Sequence, residues 1–148
     1  MEELNNILIA ATAQIEEIYF HLPICGSDLP IYRERVYCYE LYHQMRLLLP
    51  KDTQYSLNGE VDKIAHPVLR ELEADGRKPD FLVHQPGSMS HNYAVIEVKH
   101  FPANSDGIVK DLNTLNKFVC DVKYQRAIYL CLLYTSDAAD EEDSVDLG

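Results

Sequence analysis

The stretch ELNNILIAATAQIEEIYF places Leu4, Ile7, Leu8, Ala11, Ile15 and Ile18 near helical spacing, which predicts a helix over about residues 2–20. HLPICGSDLP, with two prolines, a glycine and Ser27-Asp28, reads as a loop. Pro30 suits the first turn of a second helix, which runs to about Leu49, where Pro50 follows. Its apolar face is Val36, Tyr39 or Cys38, Leu41, Met45 and Leu48; Arg33, Glu34, Arg35, Glu40, His43 and Arg46 are its polar members. Tyr37, Tyr39 and Tyr42 are expected to pack the helix.

YSLNGEVDKIAH then alternates, Leu57 and Val61 against Glu60 and Asp62, the period of a strand. PVLRELEADGRK is a short helical or irregular crossing that ends in the turn signal Asp75-Gly76. PDFLVH and NYAVIEVKHF read as two strands joined by QPGSMSHN, a polar Pro-Gly hairpin loop. FPANSDG leads into another helix, IVKDLNTLNKFVCDV, with Ser105 or Asp106 as its cap and Ile108, Leu112, Leu115 and Val119 as its stripe. YQRAIYL is a fourth strand. The order of helix, helix, three strands, helix and strand predicts an α/β fold, a mixed sheet flanked by helices with an extra helix at the N-terminus.

The length of 148 residues suits one domain, and 47% hydrophobic with 25% charged residues is ordinary for a globular protein. The N-terminus is acidic and amphipathic without the basic start of a signal peptide, and no apolar run approaches the roughly 20 residues of a membrane span; a cytoplasmic protein with no membrane partner is expected. Cys25, Cys38, Cys120 and Cys131 show no metal-ligand spacing and read as buried thiols. The net charge of −11 runs against tight nucleic-acid binding, but six carboxylates fall in residues 131–148, which leaves residues 1–130 at −5.

Those last residues, CLLYTSDAADEEDSVDLG, call for separate treatment. CLLYTSDAAD can be encoded by TGT CTC TTA TAC ACA TCT GAC GCT GCC GAC, which resembles the transposase adapter of DNA sequencing libraries. SVDLG can be encoded by AGT GTA GAT CTC GGT, which resembles the outer part of the same adapter. The expectation is a domain over residues 1–130, truncated at its C-terminus, followed by an artefactual tail over 131–148.

The chemistry gathers at the ends of the second and third strands. Val95, Glu97 and Lys99 share one face of a strand, and Asp80, Leu82 and His84 share a face of its neighbour. A hairpin can therefore bring Asp80 and Glu97 together. Two adjacent carboxylates repel unless something neutralises them, and a divalent cation such as Mg²⁺ does so with carboxylate oxygens and retained waters. Lys99, on the Glu97 face, could hold the attacking water or contact a scissile phosphate. The competing reading puts Asp80 in a turn and Glu97 and Lys99 on a solvated sheet face.

With Pro79-Asp80 opening one strand and Glu97-Val98-Lys99 as the ExK of the next, the arrangement resembles the PD-(D/E)XK nuclease superfamily over about residues 30–130. PIYRERVYCYELYHQ, GEVDK, PDFLVHQPG and VIEVK look like an uncharacterised bacterial branch of it. The resemblance implies a restriction-endonuclease-like fold and a Mg²⁺- or Mn²⁺-dependent nuclease, a DNA endonuclease or a relative of one, and it leaves a homodimer open. It implies Asp80 and Glu97 as metal ligands with the Val98 carbonyl, Lys99 as the residue that helps the attacking water, and Glu40 on the preceding helix as a further ligand or base. Glu34 competes with Glu40 for that role but, six residues earlier, is expected to face elsewhere, and Asp62 of GEVDK competes with Asp80 or joins it. His84 and Lys110 are the candidates for supporting the site and touching a phosphate. Two rivals remain, a non-catalytic module of this fold in a regulatory or defence assembly and a metal-binding protein without hydrolysis.

Overall fold

The computed structural model describes residues 2–61, 67–74, 77–101 and 103–132. In chain order these form α1 (Glu2–Thr12), a 3-10 turn (Glu17–Tyr19), α2 (Glu34–Leu48), β1 (Ser56–Gly59), α3 (Pro67–Glu71), β2 (Phe81–His84), β3 (Asn92–His100), α4 (Ser105–Cys120) and β4 (Arg126–Leu132). The strands make one sheet in the order β1-β2-β3-β4. The first three run antiparallel, and β4 lies parallel to β3 after the crossover through α4. This is the mixed sheet with flanking helices and an extra N-terminal helix that the pattern predicts. No helix among the described residues is long and apolar enough to cross a membrane.

Alternation along the strands sends side chains to two apolar layers. Leu57, Phe81, Val83, Ala94, Ile96 and Val98 pack with Leu4, Leu8 and Ala11 of α1 and Tyr37, Leu41 and Met45 of α2. Leu82 and Val95 face the other way, onto Leu115 and Phe118 of α4 and Leu69 of α3. With both faces covered, β2 and most of β3 are buried throughout, so they read as continuous apolar runs.

Several elements differ from expectation for local reasons. α1 stops at Thr12, whose hydroxyl donates to the carbonyls of Leu8 and Ile9, both at 2.9 Å. The next N–H groups turn to tighter bonds, Gln14 to Ala11 and Ile15 to Thr12. α2 begins at Glu34 because Ile31 is held in a two-way backbone bridge with Leu22. On α2, Cys38 rather than Tyr39 joins the core, and Tyr39 is 64% exposed. On α4 the buried stripe is Thr114, Leu115 and Phe118, while Leu112 is 48% exposed. The cap is Asn104, whose side chain accepts the Gly107 N–H at 2.7 Å, instead of Ser105 or Asp106. Of the four cysteines only Cys38 is buried. Cys131 and Leu132 continue β4; the rest of the tail, from 133, lies outside the described residues.

Leu41→Ala should cost about 2–5 kcal/mol of stability, since it opens a cavity between α2 and the sheet. Leu112→Ala should change it by less than about 0.5 kcal/mol. Urea unfolding of both variants checks the stripes, and a large loss at Leu112 would contradict the α4 packing.

Candidate functional site

The site forms where β2 runs out beside β3. The last backbone pair is Phe81 opposite Ile96. One residue earlier the Asp80 carboxylate accepts the Val98 N–H at 2.7 Å, so a side chain takes over from the ladder. The Asp80 carbonyl is held from the other side by the Glu60 N–H at 3.0 Å, with Glu60 at φ 42°. Glu97 sits on the same face of β3 as Val95, under α4, and is only 7% exposed. Its carboxyl and that of Asp80 hydrogen-bond to each other.

Burial decides how this pair is charged. It pushes Asp80 up to about 6, against the Val98 N–H, which favours the ionised form. It pushes Glu97 up to about 9, and the neighbouring charges of Asp80 and then Asp111 push the same way. Both carboxyls are thus pushed toward their protonated forms, because burial and the neighbouring carboxylate disfavour two charges at once. The Cys38 thiol beside them is raised first by burial and then by the Asp80 charge.

Lys99, two residues along the same face, extends between two helices. Its Nζ lies 3.1 Å from Asp111 Oδ2 on α4 and 3.7 Å from Glu34 Oε2 at the start of α2. Burial alone would lower the lysine, but the close Asp111 carboxylate and the Glu34 charge outweigh it, and the net shift is upward. Both acids belong to the inward stripe of their helix. Glu34 lies three, four, seven and eleven residues before Tyr37, Cys38, Leu41 and Met45, and Asp111 lies four and seven before Leu115 and Phe118.

These groups line a cavity of about 1230 Å³. Arg33, Arg35, Arg70, Arg77, Lys78 and Lys110 line it together with Lys99, so seven of the chain's 13 basic residues surround one hollow in an acidic protein. Arg35 is paired with Glu60 at 3.0 Å, and Arg77 donates to Thr114 at 3.3 Å. Of the residues expected at the site, the fold brings together Asp80, Glu97, Val98, Lys99 and Lys110.

Two others stand elsewhere. Glu40 does not line the cavity, and its carboxylate accepts from Gln44 at 2.6 Å; it is offset from the inward stripe that carries Glu34. His84 closes the far end of β2, where its ring bonds the Asn58 amide oxygen at 3.0 Å and lies beside Tyr124. Asp62 lies outside the described residues. Asp111 is a charge that interrupts the apolar pattern of α4, and its place four residues before the buried Leu115 is the sequence signal that marks it.

Among the described residues no group of three or more His, Cys, Asp or Glu side chains could hold a metal ion. No protein-family model, no curated protein and no solved structure matches the chain.

A buried carboxyl raised above its unfolded value binds more protons in the folded state between the two values, so stability falls as pH rises through that window. In chelator the melting temperature should therefore fall from about pH 4.5 toward pH 9. Glu97→Gln should flatten the profile and raise stability at pH 8 by roughly 1–3 kcal/mol, as it removes a carboxyl that must take up a proton on folding. Thermal melts across that range check this; a flat profile in the unsubstituted protein would mean the pair is solvated.

Proposed function

We propose that the cavity is the site of a Mg²⁺-dependent phosphodiesterase acting on nucleic acid, DNA first among the candidates. The observation that carries this reading is the buried Asp80–Glu97 pair, two carboxyls pressed together where only a proton or a cation relieves them, with a lysine beside them and a basic lining around them.

The donor set fits Mg²⁺ better than a metal with an all-protein cage. Mg²⁺ is commonly held by one or two carboxylates, with waters and substrate phosphate completing its shell, so a third protein ligand is not required. Asp80 and Glu97 would hold it. In a strand the N–H and C=O of an antiparallel pair point to the same side, so the Val98 carbonyl turns toward Asp80 as its N–H does and is the third candidate. Bound there, Mg²⁺ supplies Lewis-acid stabilisation of charge on the phosphate and lowers the pKa of water.

The chain's own residues do the rest. Lys99 stays protonated between its two acids and acts as a fixed cation toward the phosphate or the attacking water, not as a base. Glu34 replaces Glu40 as the acid from the preceding helix. Arg33, Lys78 and Lys110 supply positive charge for flanking phosphates. Hydrolysis forms a bond from water oxygen to phosphorus and breaks the bond to a sugar oxygen, which leaves with a proton. Burial of the carboxyl pair keeps the field at that phosphate strong.

The test is a nuclease assay on duplex and single-stranded DNA beside Mg²⁺ titration by calorimetry. The protein should cleave with Mg²⁺ or Mn²⁺ and not in chelator. Lys99→Met should slow cleavage roughly 100- to 1000-fold and leave metal affinity unchanged, by analogy with loss of one charge-stabilising group. Asp80→Asn and Glu97→Gln should lose both metal and activity, while Glu40→Gln should match the unsubstituted protein. Cleavage in chelator, or at full rate with Lys99→Met, rejects the reading in favour of a non-catalytic module.

A further inference from the structure

We infer that Asp111 is a positioning residue that fixes the Lys99 ammonium at the mouth of the carboxylate pair. The inference rests on the phosphodiesterase reading for its consequence but on geometry for the contact itself. Lys99 is the last residue but one of β3, and a lysine there has many rotamers open to it. Two features of α4 narrow them. The Lys99 stem runs beside the first turn of α4, where a Cβ on Gly107 would stand 3.5 Å from Lys99 Cε. Four residues on, along the same helix face, Asp111 Oδ2 meets the ammonium at 3.1 Å.

The two acids at Lys99 are not equivalent. The Asp111 side chain is 13% exposed and pairs with Lys99 at 3.1 Å, while Glu34 is 38% exposed and stands farther off at 3.7 Å. Asp111 is the anchor. Glu34 occupies the open side, where an incoming phosphate would compete for the ammonium. Thr114, one turn beyond Asp111 and held by its own helix, is buried on the same face and keeps that turn seated on the sheet. The cation thus keeps one side fixed by the protein and one side for substrate. Asp111 touches neither metal nor phosphate in this arrangement; it acts through Lys99.

Asp111→Asn keeps the shape and removes the charge. It should lower kcat roughly 10- to 100-fold, the cost of a misplaced catalytic group, with KM and Mg²⁺ affinity unchanged. The substitution should matter little once Lys99 is gone, so the double variant Asp111→Asn with Lys99→Met should cleave as slowly as Lys99→Met alone. A second readout needs no activity. The side-chain ammonium signal of Lys99 in nitrogen-detected NMR should be ordered in the unsubstituted protein and lose that order in Asp111→Asn, with Asp111→Ala as a second variant should the first be poorly folded. Additive losses in the double variant, or a Lys99 signal equally ordered without Asp111, overturn the inference. If the unsubstituted protein binds Mg²⁺ but cleaves nothing, the phosphodiesterase reading falls and the NMR comparison alone decides whether Asp111 positions the lysine.

Discussion

Two carboxyl groups that cannot both be charged without help stand at the centre of this fold. Asp80 and Glu97 meet at the place where β2 ends and β3 continues, under a helix and largely out of water. Desolvation of an ionised carboxylate is costly, and a second one beside it adds to the cost. The backbone softens this by offering the Val98 N–H to Asp80, which favours its ionised form. A protein selected only for stability would place an apolar residue at 97, between Ile96 and Val98. Retaining a buried acid there is the kind of local conflict that accompanies function.

The layers on either side of the sheet serve the same point. Each flanking helix buries a stripe of apolar side chains, and each stripe carries an acid at its cavity end, Glu34 on α2 and Asp111 on α4. Packing the stripes onto the sheet therefore delivers both acids to Lys99 without any loop having to place them. The ammonium is shared between opposite faces of the sheet, which ties the position of a flexible side chain to the rigid core. The hydrophobic layers and the charged cluster are one construction.

This also explains which parts of the molecule could be read in its sequence. The central strands are legible as two short apolar runs joined by the Pro-Gly hairpin, which leaves few registers, and that register is what brings Asp80 to Glu97. Helix faces were harder. Reading only apolar positions on α4 selects Ile108, Leu112, Leu115 and Val119, but the face that packs is turned so that Phe118 and Thr114 go inward, and Asp111 with them. On α2 the resemblance points to Glu40, although the stripe of Tyr37, Cys38, Leu41 and Met45 begins at Glu34. A polar group at the end of an inward stripe looks like a break in the pattern until its helix is docked. Where α1 stops is likewise decided by one hydroxyl at Thr12, a bond that periodicity does not see.

The distribution of charge follows from the same centre. An overall charge of −11 repels a polyanion at long range, yet seven basic side chains line the one hollow into which the buried acids open. Several are already engaged with protein partners, as Arg35 is with Glu60 and Lys99 with Asp111. Engaged cations of this kind contribute little to bulk attraction. They offer charge at fixed positions, where a phosphate would have to displace or share an existing acid, as at Glu34. A polyanion that approached the hollow would meet its carboxylates as well as its bases. The acids and bases of the hollow are thus tied to one another at fixed positions, as Arg35 is to Glu60 and Lys99 to Asp111 and Glu34.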